Sequence, residues 1–435
     1  MSLIDGDLPP TPNYGAIAPR NAARRSIFAE AEEAQSSIPR IPMYKRLYEY
    51  TVFLALGLAM LLPFNVVISV PDYWTQEYPG RHFEFYASSF FCLTLPPVYL
   101  IMIACFKLLP AIVWFLSSLG ATFVIFIALP IMPLILPIDI AQYSSLTLIL
   151  LSGAAYSVLG STVMGMASKR SPTAVQAAMA GQGTAGVVTI FLRIATKAFS
   201  ELGLLPSGGA NTISAFLFFG VCALILAATV PLYLALMVTD RRAQAQEDSA
   251  EPKETLTPSM WFQRLRFILR HQWRGLAAVF FVYIASGSVF PGLVTTSVSI
   301  VPLLNRTEWS SVLQMAIFLC GDQTGRFIPR IKFLRIPSSL TLALATLRLL
   351  AIPTYALLFV FRDYVRFDPF FVILNIVHST TNGWLSTRSF MFISEELPPE
   401  LTDMGGVIIS TVQSTGLMMS EFIGLALGYL PTYRR

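Results

Sequence analysis

Seven ionisable side chains sit where an otherwise apolar sequence should hold none: Arg193, Lys197, Asp322, Arg326, Arg348, Arg388 and Glu421. Each falls in a run of about 20 or more mostly apolar residues, the length that crosses a bilayer core. An ionised group at mid-bilayer costs about 2.5–3.5 kcal/mol even on lenient insertion scales, so each needs a partner or a water-filled path. Asp322 and Arg326 are four residues apart, share a helical face and can pair. The pair reads either as a staple between helices or as a donor and an acceptor lining a solute cavity. Arg193 and Lys197 share a face as like charges. Lys197 can snorkel outward, which leaves Arg193 to find a carboxylate or carbonyls. Glu421 is a candidate partner for Arg193, Arg348 or Arg388. With no opposite charge in its own helix, it is also the candidate proton site.

Uncharged polar residues add to this set. Asn375, His378, Asn382 and Ser386 follow i, i+3, i+7, i+11, one stripe on a single helical face. The stripe serves helix–helix hydrogen bonds or solute contact. Pro63 with Asn65, and Phe290 with Pro291, interrupt two further runs. Proline there frees a carbonyl and bends a helix near a midplane site, or simply kinks the packing.

Other chemistries fit poorly. Gly181-Gln182-Gly183-Thr184-Ala185-Gly186 matches G-x-G-x-x-G, but a dinucleotide fingerprint must follow a strand and open a helix. This one lies inside an apolar run, where small residues let a neighbouring helix approach closely. No Walker A, H-E-x-x-H or nucleophile elbow occurs, and the three histidines, His82, His271 and His378, barely supply a base. The four cysteines, Cys92, Cys105, Cys222 and Cys320, lie in apolar runs without C-x-x-C spacing, so neither a zinc site nor a disulfide framework is suggested. Neither an enzyme nor a bound cofactor is expected.

The elements that must position these residues follow from composition. Of 435 residues, 54% are hydrophobic and 13% charged, with a mean hydropathy of +0.63. Soluble domains hold about 25% charged residues, so the shortage excludes a disordered chain, a nucleic-acid module and ordinary soluble domains. Eleven apolar runs lie near 50–70, 84–106, 108–131, 142–168, 173–199, 212–238, 275–302, 309–329, 338–361, 368–393 and 404–430. They are too long for strands and lack the alternation of a barrel, so the fold class is an all-α polytopic membrane protein of eleven transmembrane helices. The first run follows 48 mostly polar residues and is not a cleaved signal peptide.

With the N-terminus inside, inner segments carry nineteen Lys and Arg and outer segments six, which sets the N-terminus in the cytosol. The sequon Asn305-Arg306-Thr307 then lies outside, where it can be glycosylated. The expected organisation is a disordered cytosolic tail over 1–48, six helices over 49–238, a cytosolic loop over 239–273 and five helices over 274–435. Within that loop the basic stretch WFQRLRFILRHQW is either an amphipathic segment along the inner leaflet or an ordinary positive-inside flank. Tyr14-Gly15-Ala16-Ile17 fits the Y-x-x-Φ pattern read by sorting adaptors. Buried polarity beyond the needs of an anchor, with no arginine ladder and no T-V-G-Y-G filter, implies a carrier for a small polar solute embedded in the lipid bilayer. A sugar or drug carrier, and a membrane-embedded enzyme or receptor, are the rival readings.

The residues also carry a resemblance. Leu61-Leu62-Pro63-Phe64-Asn65 resembles the L-L-P-W-N signature of the equilibrative nucleoside transporter family. Ala180 to Gly186 is similar to S-G-Q-G-x-A-G, Phe290-Pro291 to the seventh-helix F-P, and Asp322-Gln323-Thr324-Gly325-Arg326 to D-x-x-G-R. Arg348 with Pro353, Asn382-Gly383-Trp384 and Gly405-Gly406 follow in register in the last three helices. The resemblance implies a major-facilitator-like six-plus-five bundle, one helix short, that carries nucleosides, or in some members nucleobases, by alternating access, facilitative or proton-linked. It implies that Asp322 and Arg326 contact the ribose, that Phe64 stands beside the base, and that Leu417 walls the pocket. Asn65 and Asn382 complete the expected binding set. Pro63, Gly181, Gly186, Phe290, Pro291 and Arg348 are the expected structural or gating positions, and Glu421 the proton site. One stretch departs: Val158-Leu159-Gly160-Ser161 has no glutamine where the family's fourth helix supplies one to the base. The membrane implied is the plasma membrane or an endosomal, lysosomal or vacuolar one.

Overall fold

The computed structural model describes residues 43–81, 83–105, 108–202, 210–247, 258–295, 299–306, 309–362 and 368–430. Helices lie over each of the eleven apolar runs. The first span is Met43–Ile68, the second Phe83–Leu93 with Leu95–Cys105, the third Ala111–Ala128, the fourth Ile138–Arg170 and the fifth Pro172–Glu201. The sixth is Ala210–Glu247 and the seventh Pro258–Gly287, with a short turn at Gly292–Thr295. Trp309–Phe327 forms the eighth, Ser338–Leu347 with Ala351–Val360 the ninth, Asp368–Glu396 the tenth and Pro399–Gly428 the eleventh. No strand occurs among the described residues, as expected where lipid cannot satisfy backbone groups and each segment must bond within itself.

Prolines decide where several helices start and break. Pro110, Pro137 and Pro398 immediately precede the third, fourth and eleventh spans, and Pro172 opens the fifth. A residue without an N–H loses nothing in the first turn. Pro96 and Pro97 remove the donors for the Cys92 and Leu93 carbonyls, and the second span breaks at Thr94. Pro291 removes the i+4 donor for the Gly287 carbonyl, and the seventh span stops at Gly287. Pro353 acts likewise one turn past Arg348, where the ninth span tightens into a 3-10 turn over Arg348–Leu350. Pro63, by contrast, breaks nothing: the first span runs on to Ile68, and Asn65 Nδ2 donates back to Leu61 O at 3.1 Å.

Eight of the helices are long and apolar enough to cross a membrane by length and composition. The eighth, tenth and eleventh fall short because they carry Asp322, Arg326, the Asn375–Ser386 stripe, Arg388 and Glu421, which are all buried inside the bundle. Lipid-facing positions are apolar instead, with Leu100, Val124, Phe191, Leu224, Leu357 and Ile373 exposed.

Small residues set the closest crossings. A Cβ added at Gly181 would reach within 2.8 Å of Leu58 N, and one at Gly57 within 2.9 Å of Ala178 Cα, so the first and fifth spans touch backbone to backbone. Gly383 and Gly325 do the same for the tenth and eighth: their added Cβ atoms would lie 2.8 Å from Arg326 N and from Trp384 N. Gly181 thus lies at a close backbone crossing, and Gly186 packs against Leu319 and Asn65.

Residues 49–435 form one compact unit, and residues 1–48 are a separate one. Three expected boundaries shift. Met43–Tyr48 is helical rather than part of a disordered tail, and residues 1–42, with Tyr14, lie outside the described residues. The loop expected over 239–273 is helical at both ends, to Glu247 and from Pro258. Its basic stretch is therefore the start of the seventh span and not a separate helix along the leaflet. A 30-residue helix is about 45 Å long against a hydrocarbon core of about 30 Å, so the arginine-bearing end projects beyond the core. Asn305 falls in the short helix Pro302–Arg306, while Thr307 is outside the described residues.

Candidate solute-binding site

Three of the seven charges placed in apolar runs by the sequence, Asp322, Arg326 and Arg348, meet in one buried hydrogen-bonded chain that draws on five spans. Arg326 Nε donates to Asp322 Oδ2 at 2.7 Å, within the eighth span. Both side chains are nearly sealed from solvent, at 3% and 8% exposure. The other Asp322 oxygen accepts from Asn382 Nδ2 on the tenth span at 2.6 Å. Asn382 Oδ1 accepts from Ser286 Oγ on the seventh at 2.7 Å, and Ser286 Oγ accepts from Arg348 Nη2 on the ninth at 2.5 Å. Arg348 Nη1 donates onward to His378 O at 2.6 Å and to Thr381 Oγ1. On the other flank, Arg326 Nη1 reaches the fifth span, donating to Met179 O at 2.8 Å and to Gln182 Oε1 at 3.4 Å. Gln176 Nε2 returns a bond to Arg326 O at 3.0 Å.

Three features of the sequence and its packing place the central members. The i, i+4 spacing puts Asp322 and Arg326 on one face. The glycine contact of Gly383 with the Asp322–Arg326 backbone brings Asn382 within reach of the carboxylate. The 3-10 turn before Pro353 aims Arg348 inward. Charge-assisted bonds of this kind are the strong ones, and burial strengthens them while making any unpaired member costly. Several polar atoms around the chain nonetheless lack a hydrogen-bond partner: Tyr283 Oη, Gln323 Oε1, Arg348 Nε, His378 Nε2 and Asn375 Oδ1.

The remaining expected residues divide. Phe64 is buried and tilts on Phe91 with ring centroids 5.3 Å apart. Asn65 bonds its own helix and takes no part in the Asp322 chain. Phe290 stacks on Phe318 at 3.9 Å, and Leu417 packs near Gly287 at the end of the seventh span. Asn375 of the polar stripe donates to Gln314 O and Gln314 Oε1 on the eighth span, both at 2.9 Å, and Ser386 donates to Gly383 O within its own helix, while Asn382 bonds Asp322. Arg388 pairs with Glu395 at 2.6 Å. Glu421 meets none of the three arginines considered for it. Its Oε2 accepts from Ser88 Oγ on the second span at 2.9 Å, and its Oε1 has no partner. Lys197 Nζ lies 5.8 Å from the Trp309 ring centroid.

Gln182, Ser286, Thr381 and Tyr283 belong to the site and were not singled out by the sequence as contacts. Neutral polar residues are common in membrane helices, and only the partner helix distinguishes a packing serine from a relay. Gln182 carried a signal within the Gly181–Gly186 motif, which pointed to close packing alone.

The sequence model of the nucleoside transporter family matches residues 146–429, well over half of the chain. The chain is 23% identical to "Equilibrative nucleotide transporter 1" of Arabidopsis thaliana, covering 89% of this chain and 88% of that protein. It is 24% identical to "Equilibrative nucleoside transporter 3" of Rattus norvegicus, over 86% and 87%. Among solved structures, the major facilitator superfamily proton:xylose symporter XylE superposes with a TM-score of 0.58 at 10% identity, covering 88% of this chain and 93% of that one. The major facilitator superfamily transporter FucP in the outward conformation gives 0.52 at 12% identity, over 87% and 95%. At these identities the two superpositions speak for the fold, a major-facilitator-like helical bundle.

Proposed function

The chain belongs to the nucleoside transporter family, and from that premise we propose that the chain of polar groups centred on Asp322 and Arg326 holds the nucleoside while the bundle opens in turn to each side of the membrane. The protein is a multi-pass membrane carrier of nucleosides. The observation that carries the site assignment is the sealed Asp322–Arg326–Asn382 cluster, two charges and an amide drawn from two helices and tied to three more. A ribose offers vicinal hydroxyls, each both donor and acceptor. Asp322 can accept from one while Arg326 donates to the other. A ribose that takes a bond from Arg326 competes with Met179 O, the tie to the fifth span. Solute binding then changes the contact between two helices that must separate, which gives the two conformations different affinities, as any coupled transition requires.

Uptake into proteoliposomes tests this reading. Labelled adenosine is expected to enter and to be competed by inosine and uridine but not by glucose; competition by glucose, or no entry, overturns it. A second reading, proton linkage, is favoured by Glu421, which is buried with a hydroxyl as its hydrogen-bond partner and faces Ser88 and Cys92 of the second span. In the same assay adenosine uptake is expected to vary between about pH 5.5 and 8, and Glu421→Gln to flatten that profile. A flat profile in the unmutated protein leaves facilitation alone.

The proposed topology is eleven crossings, six plus five, with the N-terminus cytosolic. It is supported by the nineteen-to-six distribution of Lys and Arg. An epitope after Arg435 is expected to be labelled from the outer or lumenal face of intact membranes; labelling from the cytosolic face alone sinks this topology.

A further inference from the structure

Gln182 occupies the middle of the fifth span with no exposure at all, yet its amide donors meet only sulfur. Nε2 lies 3.4 Å from Met60 Sδ and 3.6 Å from Met179 Sδ. A thioether is a weak acceptor, and a buried amide donor without a strong one costs free energy that folded cores generally avoid. The amide oxygen is little better served. It receives Arg326 Nη1 at 3.4 Å, long against the 2.7 Å at which the same guanidinium meets Asp322. Tyr283, whose hydroxyl sits by Arg326, also lacks a well-formed partner. A donor and an acceptor are thus held side by side against the Asp322–Arg326 cluster, weakly engaged. On its far side Met60 stands one helical turn before Phe64.

We infer that Gln182 reads the nucleobase, pairing its N–H and C=O with the edge of the base while Asp322 and Arg326 hold the ribose. This rests on the reading of the central cluster as the nucleoside site. A carboxamide matches a base edge because it offers a donor and an acceptor in one plane, as in its bidentate pairing with the N6 and N7 of adenine. Rotated by half a turn it offers the opposite order, which suits a keto oxygen beside a ring N–H. Weak partners permit such movement. Releasing an N–H···S contact costs little, and the unbranched methionines can repack around a ring. An amide bound to carboxylate or backbone oxygens would be locked.

Uptake of adenosine, inosine, uridine and cytidine by the full chain in proteoliposomes tests the inference, with 2′-deoxyadenosine as the sugar control. Gln182→Leu is expected to change the adenosine-to-uridine ratio of kcat/KM by about tenfold, the scale of discrimination of a bidentate amide–base pair. The ratio of adenosine to 2′-deoxyadenosine should stay as it was, because the sugar is read elsewhere. If Gln182→Leu yields too little folded carrier, Gln182→Glu keeps the shape and removes the amide donors, and the same ratios are read. Base ratios that stay unchanged, or a uniform fall for all four nucleosides, overturn the inference and leave Gln182 a packing residue. If Asp322→Asn abolishes uptake while the base ratios ignore Gln182, this inference alone fails. If the unmutated protein carries no nucleoside, both readings fail.

Discussion

Asp322→Asn and Arg326→Ala are each expected to abolish or severely reduce nucleoside uptake at matched membrane expression. The two side chains are almost entirely buried and bonded at 2.7 Å. Removing one partner strands a charge in low dielectric, at a cost of about 3–5 kcal/mol. The damage spreads beyond the pair. Asp322→Asn turns an acceptor into a mixed group opposite the Asn382 amide, and Arg326→Ala cuts the bond to Met179 O that ties the eighth span to the fifth. A double variant separates a staple from a binding site. Replacing both charges by apolar residues of similar volume removes the stranded charge and is expected to recover folded protein, because buried pairs often exchange for apolar ones with little loss. It is not expected to recover uptake. Normal uptake by either single variant, or by the double variant, would place the pair outside the transport site.

The second large effect is expected from a single methyl group that meets the backbone of the site and none of its polar side chains. Gly383→Ala should lower both the unfolding temperature and nucleoside uptake, with a stability loss of about 1–3 kcal/mol, the usual cost of overpacking. The added Cβ would overlap the Asp322 carbonyl oxygen and lie 2.8 Å from Arg326 N. Both neighbours are helical backbone, so neither can swing aside. The tenth span must move away from the eighth, and the Asn382–Asp322 bond of 2.6 Å stretches toward the limit of hydrogen bonding. Uptake therefore falls although Asp322, Arg326 and Asn382 are all still present. Gly220→Ala on the sixth span is the control, since nothing lies within 4 Å of a Cβ added there. Equal effects of the two substitutions, in a thermal-shift assay and in uptake, would mean that the close crossing is not what positions the site.

The membrane character, the helix positions and the Asp322–Arg326 pair could be read from the sequence because each depends on local properties. Twenty apolar residues can satisfy their backbone only as a helix, and i, i+4 charges share a face wherever that helix sits. Proline breaks in the second, seventh and ninth spans are equally local, since each follows from the missing N–H of one or two prolines. Pro63 lies inside a helix that continues to Ile68, and Asn65 bonds back to Leu61 within that helix. The polar stripe of the tenth span was visible, but its division into packing members and Asn382 depended on which helix lay opposite. Glu421 had three plausible arginine partners by sequence and met Ser88 instead. Arg348, expected as a structural or gating position, lies at the far end of a hydrogen-bonded chain through Ser286 and Asn382, partners that only the fold could reveal. What the sequence determined by itself is that this chain is a bundle of membrane helices with a buried ion pair in the eighth. What only the tertiary structure decided is which helices close around that pair, because long-range partners are chosen by glycine-sized surfaces meeting across the bundle, and such complementarity leaves no periodicity to read.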